Sequence, residues 1–149
     1  MILNRQRGVR LGLRSLNTFL QQAKEKLGLG EAEVTICLVS DAEIARMNAA
    51  FRKKKGPTDV LSFPAVRRRG PALIERGLRK KKLRGDLGDV AISPATARRN
   101  AKEQGRTLTD EMRILMLHGI LHLLGYDHET DHGRMNRLER KLRRRLGLA

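Results

Sequence analysis

The sequence predicts an α+β fold: one compact domain in which a mixed β-sheet of about four strands packs with about five helices. Three observations predict the architecture. Apolar residues recur at helical spacing in several separate stretches, short β-branched runs lie between them, and Gly or Pro closes nearly every segment. At 149 residues the chain is one domain long, so residues 1–149 are read as a single unit carrying a basic loop at about 65–85.

The elements follow in order. A short N-terminal segment can form a strand. Leu13, Leu16, Leu20, Ala23 and Leu27 then mark an amphipathic helix that Gly28 and Gly30 stop, with Leu11 and Leu13 counted toward the core. Residues 33–39, EVTICLV, read as a strand in which Cys37 is a small buried hydrophobe rather than a reactive thiol. Ser40 and Glu43 have capping-box spacing and open a helix through Ile44, Met47 and Ala50, which the stretch from Lys53 to Pro57 breaks. TDVLSF, residues 58–63, is a second strand ending at Pro64. Residues 65–85 carry nine basic side chains, one acid, three Gly and one Pro, with few core candidates, and read as a loop. DLGDVAIS is the next strand. Ser93 caps a helix with Pro94 at its first position, and Gly105 ends it after Gln104. Thr109 is the expected cap of the following helix, with Asp110 and Glu111 favouring the dipole in its first turn. A last helix begins near Asp131, with Met135, Leu138, Leu142 and Leu146 on one side and a run of arginines elsewhere.

Composition narrows the function. Lys and Arg number 32 against 16 Asp and Glu, a formal net charge of +16, so polyanions and above all nucleic acids are the first partners to consider. No apolar run is long enough to span a bilayer, and the opening MILNRQRGVR lacks the order of a signal peptide; the expectation is a mature cytoplasmic chain with no membrane partner. A single cysteine rules out an internal disulfide and a cysteine-rich zinc cluster.

HGILHLLGYDH, residues 118–128, holds three of the chain's four histidines. From Ile114 to Leu124 every residue except His118, Gly119 and His122 is apolar, so this helix should be buried. The i,i+4 spacing sets the two imidazoles about 40° apart on one helix face. Gly125 stands where a left-handed turn can end the helix and return His128 toward them. A lone histidine in such a helix reads as a core residue bonded to a carbonyl. Three together read as a zinc site with one position left open, the pattern of a catalytic centre. His132 reads as a surface residue. Gly119 occupies the place where zinc peptidases of the H-E-x-x-H type carry their glutamate base, which turns the reading away from peptide hydrolysis and suggests that something approaches the helix closely there.

HGILHLLGYDH, together with NAAFRKKKGPTDVLSFP (residues 48–64) and LGDVAIS (residues 87–93), resembles the YbeY family of bacterial endoribonucleases and ribosomal RNA maturation factors. Similarity runs from about residue 33 to the C-terminus, including Met135 and Glu139. The resemblance implies one zinc ion per chain held by His118, His122 and His128, and a functional Arg52 near the metal; Arg52 and, if it is only loosely bound, His118 are the catalytic candidates. It also implies cleavage of single-stranded RNA in rRNA maturation at the 3′ end of the small-subunit rRNA, ribosome quality control, and partners among the small ribosomal subunit and its assembly proteins. An arginine suits that role because its guanidinium pairs bidentately with phosphate oxygens. Attack by a water activated at the metal or by a ribose 2′-hydroxyl both stay open. The general base is unassigned, with Thr58, Asp59 and Asp127 as candidate helpers.

In many relatives the segment between TDVLSF and LGDV is short and often acidic, whereas here it is basic. Arg67, Arg68, Arg69, Lys80, Lys81 and Lys82 are therefore expected to contact RNA. Two other functions compete: a noncatalytic RNA- or ribosome-binding assembly factor with a structural zinc, and a zinc hydrolase acting on another substrate.

Overall fold

The computed structural model describes residues 1–65, 85–126 and 133–148. Its elements are β1 (Ile2–Asn4), α1 (Leu13–Leu27), β2 (Glu33–Leu38), α2 (Asp41–Arg52), β3 (Val60–Pro64), β4 (Asp86–Ile92), α3 (Pro94–Gln104), α4 (Leu108–Leu123) and α5 (Arg134–Arg145). The sheet runs in the order β1-β2-β4-β3; the first three of these are parallel, and β3 joins β4 antiparallel at the edge. This is the mixed four-stranded sheet with five helices that the sequence predicts. The basic loop lies outside the described residues.

Alternation in β2 explains the two layers. Val34, Ile36 and Leu38 are buried toward the main core with α1, α4 and α5, while Cys37 points the other way, half-buried at the margin of a smaller cluster of Val39, Ile44, Leu61 and Ala91 under α2. α4 lies against β3 and β4 and also touches α1, α3 and α5, and its core-facing residues from Met112 to Leu123 are buried on almost every side.

The capping chemistry is largely as expected. The Ser40 hydroxyl accepts from the Glu43 amide at 3.2 Å, and the Ser93 hydroxyl accepts from the Thr96 amide at 3.3 Å. α4 differs. Its cap is Thr107 rather than Thr109, with the Thr107 hydroxyl accepting from the Asp110 amide at 3.1 Å. Two threonines two residues apart compete for the position, and the earlier one wins because it places Leu108 in the first turn, packed against the core. Leu13 also departs from expectation: it starts α1 at 37% exposure, and the buried stripe is Leu16, Phe19, Leu20, Ala23 and Leu27. α5 runs from Arg134, after Gly133 in a left-handed conformation; the expected start near Asp131 lies outside the described residues.

At the C-terminal ends of β2 and β4, the first residue of α2 ties two helices together. Asp41 accepts from the Ser93 hydroxyl at 2.5 Å and the Thr96 hydroxyl at 2.7 Å, and from Arg99 at 3.0 Å. Burial pushes the Asp41 carboxyl up, but the hydrogen bonds from Ser93, Thr96 and Arg99 and the Arg99 charge outweigh it and hold the group below its ordinary range. A carboxyl depressed in the folded state favours folding above its unfolded pKa of about 3.9, and that contribution disappears as pH falls through the lower folded value. Asp41→Asn should therefore cost about 1 kcal/mol at pH 7 in denaturant unfolding, with the gap to the wild type closing below about pH 4.

Gly119 answers the question its position raised. A Cβ there would collide with a Val90 methyl and stand 3.3 Å from the Ser62 hydroxyl, so the close approach is made by the sheet. The Ser62 hydroxyl in turn donates to the Gly119 carbonyl at 3.1 Å. Val90 is β-branched and sits mid-strand, so it cannot swing aside. Gly119→Ala should lower stability by about 1–3 kcal/mol through overpacking, despite the better helix propensity of alanine. Thermal or denaturant unfolding of the variant checks this.

Candidate functional site

His118 and His122 lie one turn apart on α4, each only partly exposed. Their rings meet edge-on with centroids 4.7 Å apart and planes at 72°, and the two Nε2 atoms stand 3.1 Å apart. Behind the first ring, the Glu139 carboxylate of α5 lies 2.9 Å from His118 Nδ1, with the glutamate side chain only 14% exposed. A carboxylate in that place favours the tautomer with its proton on Nδ1, leaving the Nε2 lone pair directed at His122.

This donor set fits a zinc ion. Two nitrogens each about 2.0–2.1 Å from a tetrahedral centre are separated by about 3.3 Å, close to the spacing of the two Nε2 atoms. The carboxylate behind the ligand imidazole is the usual partner that orients such a histidine. Among the described residues no group of three or more His, Cys, Asp or Glu is arranged to hold a metal ion together. His128, the third expected ligand, lies outside them, as do Asp127 and His132. The turn that leads toward His128 is defined. Gly125 has φ of 96°, its amide donates to the His122 carbonyl at 3.0 Å, and the Tyr126 amide donates to the Leu121 carbonyl at 3.1 Å. That double bond closes a Schellman motif, as the glycine predicts.

Arg52 is the last residue of α2 and is exposed. Its neighbour Phe51 packs edge-on against Phe63 of β3, with ring centroids 5.1 Å apart. Ser62, on the opposite face of the same edge strand, is the residue bonded to Gly119 beside His118. The end of α2 and the histidine pair thus approach one sheet edge from its two faces. Of the candidate helpers, Asp59 is engaged elsewhere: its carboxylate accepts from the Asn100 amide at 3.2 Å and from the Thr58 hydroxyl at 3.4 Å, and its carbonyl accepts from the Ser93 amide at 3.0 Å. Arg67, Arg68, Arg69, Lys80, Lys81 and Lys82 lie outside the described residues.

Two residues that the sequence shows only as parts of family-like segments, with no role assigned, prove to be structural contributors. Glu139 is the only acid in α5, and it falls on the same stripe as Met135 and Leu142, where an unpaired carboxylate would be costly; that anomaly was the available signal. Asn48 is 95% buried and braces the turn after α2. Its carbonyl accepts from the Lys53 amide and, at 3.3 Å, from the Lys54 amide, while its side-chain amide donates to the Gly56 carbonyl at 3.0 Å.

Comparison with known proteins gives the family. Residues 4–147 match the family model described as Endoribonuclease YbeY. The Endoribonuclease YbeY of Solibacter usitatus is 43% identical over 134 residues, covering 90% of this chain and 79% of that protein. The corresponding protein of Koribacter versatilis is 38% identical over 148 residues, covering 99% of this chain and 86% of its own. The solution structure of TM1509 from Thermotoga maritima, 28% identical, aligns with a TM-score of 0.62 over 98% of this chain and 89% of that one. With its sequence and its fold both in agreement, this chain belongs to the Endoribonuclease YbeY family.

Proposed function

We propose that the chain is a zinc-dependent endoribonuclease that cuts single-stranded RNA, with His118, His122 and His128 holding one zinc ion and Arg52 engaging the phosphodiester. The observation that carries this reading is the pair of Nε2 atoms 3.1 Å apart, backed by Glu139, in a chain whose relatives are named endoribonucleases. Zinc in such a site supplies Lewis acidity and lowers the pKa of a bound water toward neutrality.

The chain's own groups have distinct tasks. Glu139 holds the proton on His118 Nδ1 and so keeps the opposite nitrogen available to the site. His122, in the last turn of α4, fixes the second nitrogen, and the Gly125 turn carries the chain on toward His128. The Arg52 guanidinium pairs with phosphate oxygens and neutralises the charge that grows on them, which makes Arg52 and His118 the catalytic assignments. The formal charge of +16 suits an RNA substrate, with Arg67, Arg68, Arg69, Lys80, Lys81 and Lys82 as further phosphate contacts. In the cell we place the activity in the cytoplasm, in maturation of the small-subunit rRNA 3′ end and in ribosome quality control, alongside the small subunit and its assembly proteins.

Cleavage of a labelled single-stranded RNA by the purified chain tests this. Arg52→Ala should lose about 100-fold or more in rate while binding RNA within a few-fold of the wild type. His122→Ala should lose both zinc and cleavage. Cleavage persisting undiminished in both variants would mark a contaminating nuclease and leave an RNA-binding assembly factor. Glu139→Gln should weaken zinc binding by about 10–100-fold in competition with a chromogenic chelator, and an unchanged affinity would remove Glu139 from the account.

A further inference from the structure

Aromatic side chains are scarce in this chain, which has three Phe, one Tyr and no Trp. Phe19 and Tyr126 are buried in the main core and Phe63 packs at the edge of the smaller cluster. Phe51 stands apart at 69% exposure, the most exposed large hydrophobic residue among those described. Its ring is steadied by the edge-on contact with Phe63. Immediately after it come Arg52, Lys53, Lys54 and Lys55, all exposed, and no acid occurs between Glu43 and Asp59.

The backbone beneath these cations is held in an unusual shape. Lys53 has φ of 55° and ψ of 35°, and it is the only non-glycine residue of positive φ among those described. A lysine sits where a helix end normally takes glycine, at a steric cost that must be offset. Buried Asn48 supplies the offset, bonding Lys53, Lys54 and Gly56 from within. An exposed, propped aromatic next to cations on a braced turn is the combination that binds single strands: the ring stacks on a base and the cations track the phosphates.

We propose that Phe51 is the stacking platform for one unpaired base of the RNA, with Arg52, Lys53, Lys54 and Lys55 holding the adjoining phosphates. The proposal rests on the single-stranded RNA reading above and adds a physical source of strand selectivity, because a base paired within a duplex does not offer its face to the ring. Stacking of this kind is tolerant of base identity, so it selects unpaired nucleotides rather than a sequence.

The test uses the full chain and a short single-stranded RNA containing 2-aminopurine, whose fluorescence falls on stacking, read by stopped-flow mixing so that the signal precedes turnover. Wild type and Phe51→Tyr should quench the probe, whereas Phe51→Leu should lose the quench and bind roughly ten-fold or more weakly. The slope of affinity against salt should stay the same in Phe51→Leu, because no phosphate contact is removed. Circular dichroism of both variants should match the wild type. A Phe51→Leu chain that binds and quenches like the wild type overturns the stacking role and points to a protein partner for the exposed ring. A wild-type chain that does not bind the RNA at all removes the single-stranded RNA reading itself, and the stacking role with it.

Discussion

A helix that is apolar on nearly every side can be stable only when wrapped on nearly every side, and α4 imposes that condition on this chain. The sheet covers one flank through Val90 and Ser62, at a distance that only Gly119 permits, while α1, α3 and α5 take up the others. Burying each large side chain such as Leu117 or Ile120 contributes about 1.5–3 kcal/mol. Burying a polar ring without a partner costs about 1–3 kcal/mol, so each imidazole on this helix needs a satisfied position. Glu139 meets that need for His118 from α5, and in meeting it fixes which nitrogen faces His122. The packing problem and the geometry of the site have one solution.

The same principle holds on the other face of the sheet. Asp41 and Asn48 belong to one helix, and each ties a neighbouring segment to it. Asp41 joins the start of α2 to α3 through Ser93, Thr96 and Arg99, and Asn48 shapes the turn that presents the cations after Arg52. Neither residue belongs to the histidine pair. Both fix where α2 ends relative to edge strand β3, and that strand separates Phe51 from the Gly119 side of α4.

Much of this was legible in the sequence because the governing signals are local. Periodicity and caps located the helices, β-branched runs located the strands, and the i,i+4 histidines followed by Gly125 pointed to the candidate site. What was not legible depends on which distant side chains meet. Thr107 and Thr109 are both plausible caps until the packing of Leu108 decides between them. Leu13 belongs to the apolar pattern yet stays exposed because the buried stripe of α1 is set by Phe19 and Leu20. Glu139 is twenty-one residues from His118, and its pairing with that ring emerges only when α5 docks on α4.

Everything rests on whether the two imidazoles grip a metal or merely each other. X-ray absorption at the zinc edge, recorded on the full chain carrying one zinc ion, separates these directly. Imidazole nitrogens should scatter at about 2.0–2.1 Å, with the signal diminished when His122 is replaced by alanine. A zinc spectrum without imidazole scattering, or one that the replacement leaves unchanged, would contradict the metal grip.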